Sequence, residues 1–144
     1  MAMPHFRAGV IIVVRRADGS VLAFERRDVP GQWQLPQGGI EQGETITLAA
    51  WRELREETGL DERHVDLVGE HEHWTVYAWP DGMRAGERIG QAHRWCFFDW
   101  KGLEVEPTPD GREFGAWRWM SPDDLIDQVI EFRRRPYVQV LRGG

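Results

Sequence analysis

The sequence predicts a mixed α/β fold in one domain spanning residues 1–144, with strands alternating with two or three helices. Three observations carry this expectation. Short β-branched and aromatic runs recur between turn signals, a segment at 45–58 is rich in helix formers, and 144 residues fit one domain of about 100–200. With 41% hydrophobic and 29% charged residues, the chain is expected to be globular rather than disordered or fibrous.

Gly9–Val14 reads as a buried strand, Asp18-Gly19 as a tight turn, and Val21–Phe24 as the return strand of a hairpin. Residues 28–44 hold six Gly or Pro and little periodicity, so a structured loop is expected there. A long glycine-rich loop inside a compact domain is more often functional than idle. Thr45 is an N-cap for a helix that carries Ala49, Ala50 and Leu54 to Thr58 and stops at Gly59. Strands follow near Val65–Val68, Trp74–Ala78, Arg94–Asp99 and Phe114–Trp119, with a loop at 80–92 around Pro80-Asp81-Gly82. Ser121-Pro122-Asp123-Asp124 starts another helix, and a last helical stretch covers Tyr137–Leu141 after Pro136. Arg133-Arg134-Arg135 reads as a solvated face.

The net charge of −6 argues against a partner held by bulk positive charge, such as nonspecific duplex DNA. The single Cys96, inside Trp95-Cys96-Phe97-Phe98, excludes an internal disulfide framework and a multi-cysteine zinc site, and reads as a buried thiol. No stretch approaches the roughly 18 apolar residues of a membrane helix. Val10–Val14 is too short for a signal-peptide core and runs into Arg15-Arg16. The expectation is a cytoplasmic monomer without a membrane partner.

Chemistry concentrates in the 45–58 helix. Glu53, Glu56 and Glu57 stand at i, i+3 and i+4, which puts them within about 100° of arc on one face. An Arg52–Glu56 pair on a solvated helix is worth only about 0.2–0.5 kcal/mol, and the Glu53/Glu57 like-charge pair costs about as much. Crowded carboxylates are relieved by a hard cation, and magnesium is held by a few carboxylates together with substrate phosphate oxygens. Residues 38–60 carry five Glu against two Arg, so half of the chain's net negative charge lies in this one segment.

From Gly38 the sequence runs Gly38-x5-Glu44-x7-Arg52-Glu53-Leu54-x-Glu56-Glu57-x-Gly59-Leu60. These nine positions over 23 residues match the Nudix box, and the chain is identified as a member of the Nudix hydrolase family. Trp33-Gln34-Leu35-Pro36-Gln37-Gly38-Gly39-Ile40 resembles the branch of asymmetric diadenosine tetraphosphate hydrolases and bacterial RNA 5′-pyrophosphohydrolases. Ile89-Gly90-Gln91, Glu113-Phe114, Trp117-Arg118-Trp119 and Phe132-Arg133…Tyr137 extend the likeness, whereas Ala8 stands where many members have Pro.

The resemblance implies a Nudix fold, a mixed sheet sandwiched between helices, and Mg²⁺-dependent hydrolysis of a phosphoanhydride bond, with Mn²⁺ as a substitute. It implies metal contacts from Gly38, Glu53, Glu56, Glu57 and Glu113, and a Glu44–Arg52 pair that fixes the loop to the helix. The general base is Glu53, Glu57 or Glu113. Arg7, Arg27, Gln37, Tyr77 and Phe132 match substrate-contacting positions. Diadenosine tetraphosphate, cleaved to ATP and AMP, is the first substrate expected, since the acidic chain favours a small substrate. Removal of pyrophosphate from an RNA 5′ end is the alternative, and a nucleotide-binding sensor without catalysis is the alternative of another class.

Overall fold

The computed structural model describes residues 3–84 and 86–143. Met1, Ala2 and Gly144 of the expected 1–144 domain, and Ala85 of the expected 80–92 loop, lie outside the described residues. In chain order the described residues form β1 (His5–Arg15), β2 (Val21–Arg26), β3 (Trp33–Gln34), β4 (Gln37–Gly39), α1 (Ile46–Thr58), β5 (Val65–Glu70) and β6 (Thr75–Ala78). A 3-10 turn at Asp81–Met83 follows, then β7 (Arg88–Trp100), β8 (Phe114–Met120), α2 (Pro122–Gln128) and α3 (Glu131–Leu141).

β1 is central and runs parallel to β7 from His5↔Arg88 to Arg15↔Asp99. Val10–Val14 are all buried, as expected of a strand covered on both faces. The alternation of side chains across the strand divides the core. Val10, Ile12 and Val14 pack with Ala49, Ala50 and Leu54 of α1, while Ile11 and Val13 pack with Leu125, Ile126 and Tyr137 of α2 and α3. The mixed sheet is thus sandwiched between helices.

Caps behave as their residue types require. The Thr45 side chain accepts from the Leu48 amide at 3.1 Å, and Gly59 closes α1 in the left-handed region at φ 72°. The Ser121 hydroxyl caps α2 by accepting from Asp124 N at 3.1 Å. Cys96 is buried as expected, and burial pushes its thiol up to about 12.

Four expectations are corrected. The turn at Asp18-Gly19 forms, with Gly19 at φ 88°, but β1 and β2 pair only at Arg15↔Val21. The edge of β1 is taken by β4, and β2 leaves to pair with β8 and β3. The 28–44 loop contains the short strands β3 and β4. β7 begins at Arg88, inside the expected loop. Finally, α3 starts at Glu131 and passes through Pro136 instead of following it. Burial of Pro136 and Tyr137, and a 2.9 Å bond from Leu35 N to the Tyr137 hydroxyl, outweigh proline's local cost. The early start brings Phe132 and Arg133 onto a helix over the sheet.

His93 of β7 is fully buried, and neither ring nitrogen has a partner among the described residues. Burial, with Arg133 and Arg7 nearby, pushes its pKa down to about 3. The unfolded chain takes up this proton near the ordinary value of about 6.5. Between those values only the unfolded state gains a proton. The contribution of His93 to stability is therefore whole above pH 6.5 and is lost as the pH falls, at about 1.4 kcal/mol per pH unit. As the pH falls from 7 to 4.5, the thermal midpoint of His93→Met should gain on that of wild type, because the variant lacks this loss. An unchanged slope in that variant would show that acid sensitivity lies elsewhere.

Candidate active site

The site is assembled where β4, α1 and the segment entering β8 converge. β4 pairs with β1 at Val10↔Gly38 and carries the glycines across the start of the α1 carboxylate face. A Cβ at Gly38 would land on the Glu53 carboxylate, and one at Gly39 would land on the Arg7 guanidinium. Gly38 needs a residue without a side chain, because Glu53 is buried and held by Arg52, whereas the exposed Arg7 can give way at Gly39.

Arg52 ties the loop to the helix. Its Nε donates to Glu44 Oε2 at 2.6 Å, and its Nη2 donates to Glu44 Oε1 at 2.9 Å and to the Gly39 carbonyl at 2.8 Å. The paired guanidinium and the Glu41 amide hold the Glu44 carboxyl at about 2, so it remains ionised. Nη1 of Arg52 also reaches Glu53 Oε1 at 2.7 Å and Glu56 Oε2 at 3.2 Å. The expected i, i+4 pair is present, but as one arm of a hub.

Oxygens of Glu57, Asp110 and Glu113 lie within 4.8 Å of one another. The structure therefore brings together Glu57 and the sequence-distant Glu113, and adds Asp110. As oriented here, Glu53 and Glu56 face Arg52 and stand outside that trio; Glu53 is buried and Glu56 exposed.

Asp110 is placed by its own loop. Its Oδ1 accepts from the amides of Arg112, Glu113 and Phe114 at 3.0, 3.1 and 3.1 Å. Burial opposes its ionisation, yet these amides outweigh it and hold its carboxyl below the ordinary value. Glu57 is in the opposite state. Burial first, then Asp110, Glu113 and Glu53, push its carboxyl up to about 8. Its Oε2 is buried without a partner among the described residues. Burial also raises Glu53 and Glu113, against the opposing pull of Arg52 and Arg26 respectively. Crowded oxygens, one of them buried without a donor, are a donor set that fits a hard divalent cation.

The expected substrate contacts separate into two groups. Arg7 and Arg27 are exposed; Arg7 lies over Gly39, and Arg27 donates to the Gly111 carbonyl beside Asp110. Tyr77 is buried beneath half-buried Phe132, with ring centroids 5.5 Å apart, so Phe132 is the ring with a reachable face. Gln37 Nε2 donates to Gln91 Oε1 at 3.0 Å, an oxygen that also accepts from the Tyr77 hydroxyl. Sequence reasoning missed Asp110, Arg26 and Arg133. Asp110 sits in an ordinary Pro-Asp-Gly turn, and Arg26 looks like any strand end. Arg133 corrects the reading of its run as solvated: Arg134 and Arg135 are exposed, but Arg133 is 9% exposed and faces Tyr77 and Gln34.

Acids crowded around a buried oxygen, with exposed arginines beside them, are a donor set suited to a divalent cation and an anionic ligand together. The NUDIX domain model matches residues 5–141, and the chain belongs to that family. It is an enzyme of the family's pyrophosphohydrolase type. Nudix hydrolase 25 of Arabidopsis thaliana is 34% identical over 96% of this chain and 86% of its own length. The RNA pyrophosphohydrolase of Rhodospirillum rubrum is 38% identical over 94% of this chain and 85% of its own. The fold matches the E. coli dihydroneopterin triphosphate pyrophosphohydrolase at TM-score 0.77 and 22% identity, over 96% of this chain and 99% of that one. A C. elegans Ap4A hydrolase matches at TM-score 0.69 and 18% identity, with the same coverage.

Proposed function

We propose that the chain cleaves a phosphoanhydride bond in the 5′-polyphosphate of a nucleotide, with 5′-triphosphorylated RNA as its first substrate. The observation that carries the reaction class is the Glu57–Asp110–Glu113 cluster with its partnerless oxygen. The substrate rests on relatives named RNA pyrophosphohydrolase, at 38% identity in Rhodospirillum rubrum and 40% in Xanthomonas campestris. An open hollow of about 490 Å³, lined by Pro80, Met83, Ile130, Glu131 and Phe132, gives room for a nucleoside beyond the first. This ordering reverses the one drawn from net charge. Charge is a weak guide here, because the acids of the 38–60 segment are those a cation offsets. Diadenosine tetraphosphate is the second reading, favoured by the chain's remaining acidity.

Glu53, Glu56, Glu57, Asp110 and Glu113 would hold Mg²⁺, with the Gly38 backbone beside them and Mn²⁺ as a substitute. When bound, the cation supplies Lewis acidity toward phosphoryl oxygens and makes water a better nucleophile. The chain's own groups do the rest. Arg7 and Arg27 draw in the polyphosphate, and Phe132 stacks a base. Glu57, whose buried Oε2 has no partner among the described residues, takes the proton of the attacking water. Arg52 and Glu44 keep the loop and helix in register.

Purified protein with Mg²⁺ is offered both substrates, and the products are identified. Pyrophosphate or successive phosphates from RNA support the first reading, and ATP plus AMP supports the second. Binding without turnover of either would overturn both.

A further inference from the structure

A hydrogen-bonded relay runs beneath the cleft. Gln37 Nε2 donates to Gln91 Oε1, which also accepts from the Tyr77 hydroxyl. That hydroxyl accepts from Arg133 Nε at 3.2 Å, and Arg133 Nη1 donates to Gln34 Oε1 at 2.7 Å. The same Gln34 oxygen accepts from Arg26 Nη1 at 3.2 Å, and that nitrogen also reaches Glu113 Oε1 at 3.2 Å. We propose, on the basis of the hydrolase reading above, that Arg133 is a positioning residue that joins the base-binding end of the cleft to the carboxylate cluster.

Three features support this. Arg133 is buried, and among the described residues no carboxylate lies within ion-pair distance of it, so its charge is not spent on a local pair. Its guanidinium carbon lies 5.1 Å from the centroid of the Phe132 ring, so a ligand stacked on that ring would be felt by the same side chain. At the other end, Arg26 is claimed by exposed Asp28 through Nε and Nη2 at 2.9 and 3.0 Å, and only Nη1 faces inward. Gln34, held from its other side by Arg133, keeps that inward arm on Glu113. Outer partners of ligand carboxylates typically carry 10–100-fold in metal affinity or activity, on the order of what is expected here.

The test uses Arg133→Met, which keeps the aliphatic volume, and Tyr77→Phe, which removes one hydroxyl and leaves the ring packing in place. Thermal unfolding titrated with Mn²⁺ alone reads cation affinity without turnover. Arg133→Met should shift that titration to about 10-fold higher Mn²⁺ and lower kcat by about 10–100-fold. The double variant should lose less than the product of the single losses, because both changes break one network. An unshifted Mn²⁺ titration with only KM raised would make Arg133 a plain substrate contact and overturn the inference. Independent, multiplicative losses would overturn it too. If Arg133→Met does not fold, the Tyr77→Phe titration decides: no change in Mn²⁺ midpoint or kcat rejects the relay. Inactive wild type with an intact Mn²⁺ response would instead reject the hydrolase reading.

Discussion

Glu57→Gln is expected to lower kcat by about 10²–10⁴-fold, the range of a lost general base, while the fold stays intact. The variant keeps the side chain's shape and removes its charge. The same substitution has a signature in stability. The folded Glu57 carboxyl titrates at about 8, against an ordinary value of 4.5. Between those values the cation-free native protein holds on Glu57 a proton that the unfolded chain has released, so this group's contribution to stability falls as the pH rises from 4.5 to 8. Glu57→Gln removes that loss. In chelator, its thermal midpoint should exceed that of wild type at pH 8, and the two should approach each other near pH 5. Added Mg²⁺ should stabilise wild type far more than the variant. Undiminished turnover in Glu57→Gln would sink the assignment of this carboxylate.

Gly38→Ala is the second large effect, and it needs no change of charge. The added methyl would occupy the space of the Glu53 carboxylate, which is buried and held by Arg52 at 2.7 Å. Either the carboxylate or β4 must move, and an ångström of misplacement in such a site costs about 10²-fold. We expect kcat/KM to fall by at least about that much, with only a modest drop in thermal midpoint, since the displaced group lies at the edge of the core. Steady-state kinetics beside thermal unfolding separates the two quantities. Gly43→Ala is the contrast. At φ 83° its strain is local, and a Cβ there meets nothing within 4 Å, so its effect should be on stability rather than turnover.

Much of this was legible before any coordinates. The α1 boundaries follow from Thr45 and Gly59, and the buried run of β1 from its β-branched residues. The Glu44–Arg52 clamp followed from the family resemblance, and its geometry agrees. These are properties of residues close in the chain, where spacing translates directly into angle and distance. The hairpin at Asp18-Gly19 shows the limit: the turn is local and formed, but its strands pair elsewhere because other edges compete for them.

The spacing of the box acids and the family of the chain were thus set by local sequence. Glu113 was grouped with Glu57 only through the family resemblance, and Asp110 was not expected at all: both reach Glu57 of α1 from a loop more than fifty residues away, by a tertiary approach that leaves no periodic trace. Arg133 is the same lesson from the other side. Arg134 and Arg135, which follow it in the chain, are exposed, and the early start of α3 turns Arg133 inward toward Tyr77 and Gln34. Burial depends on what packs against a residue, and in this site the packing partners come from distant strands.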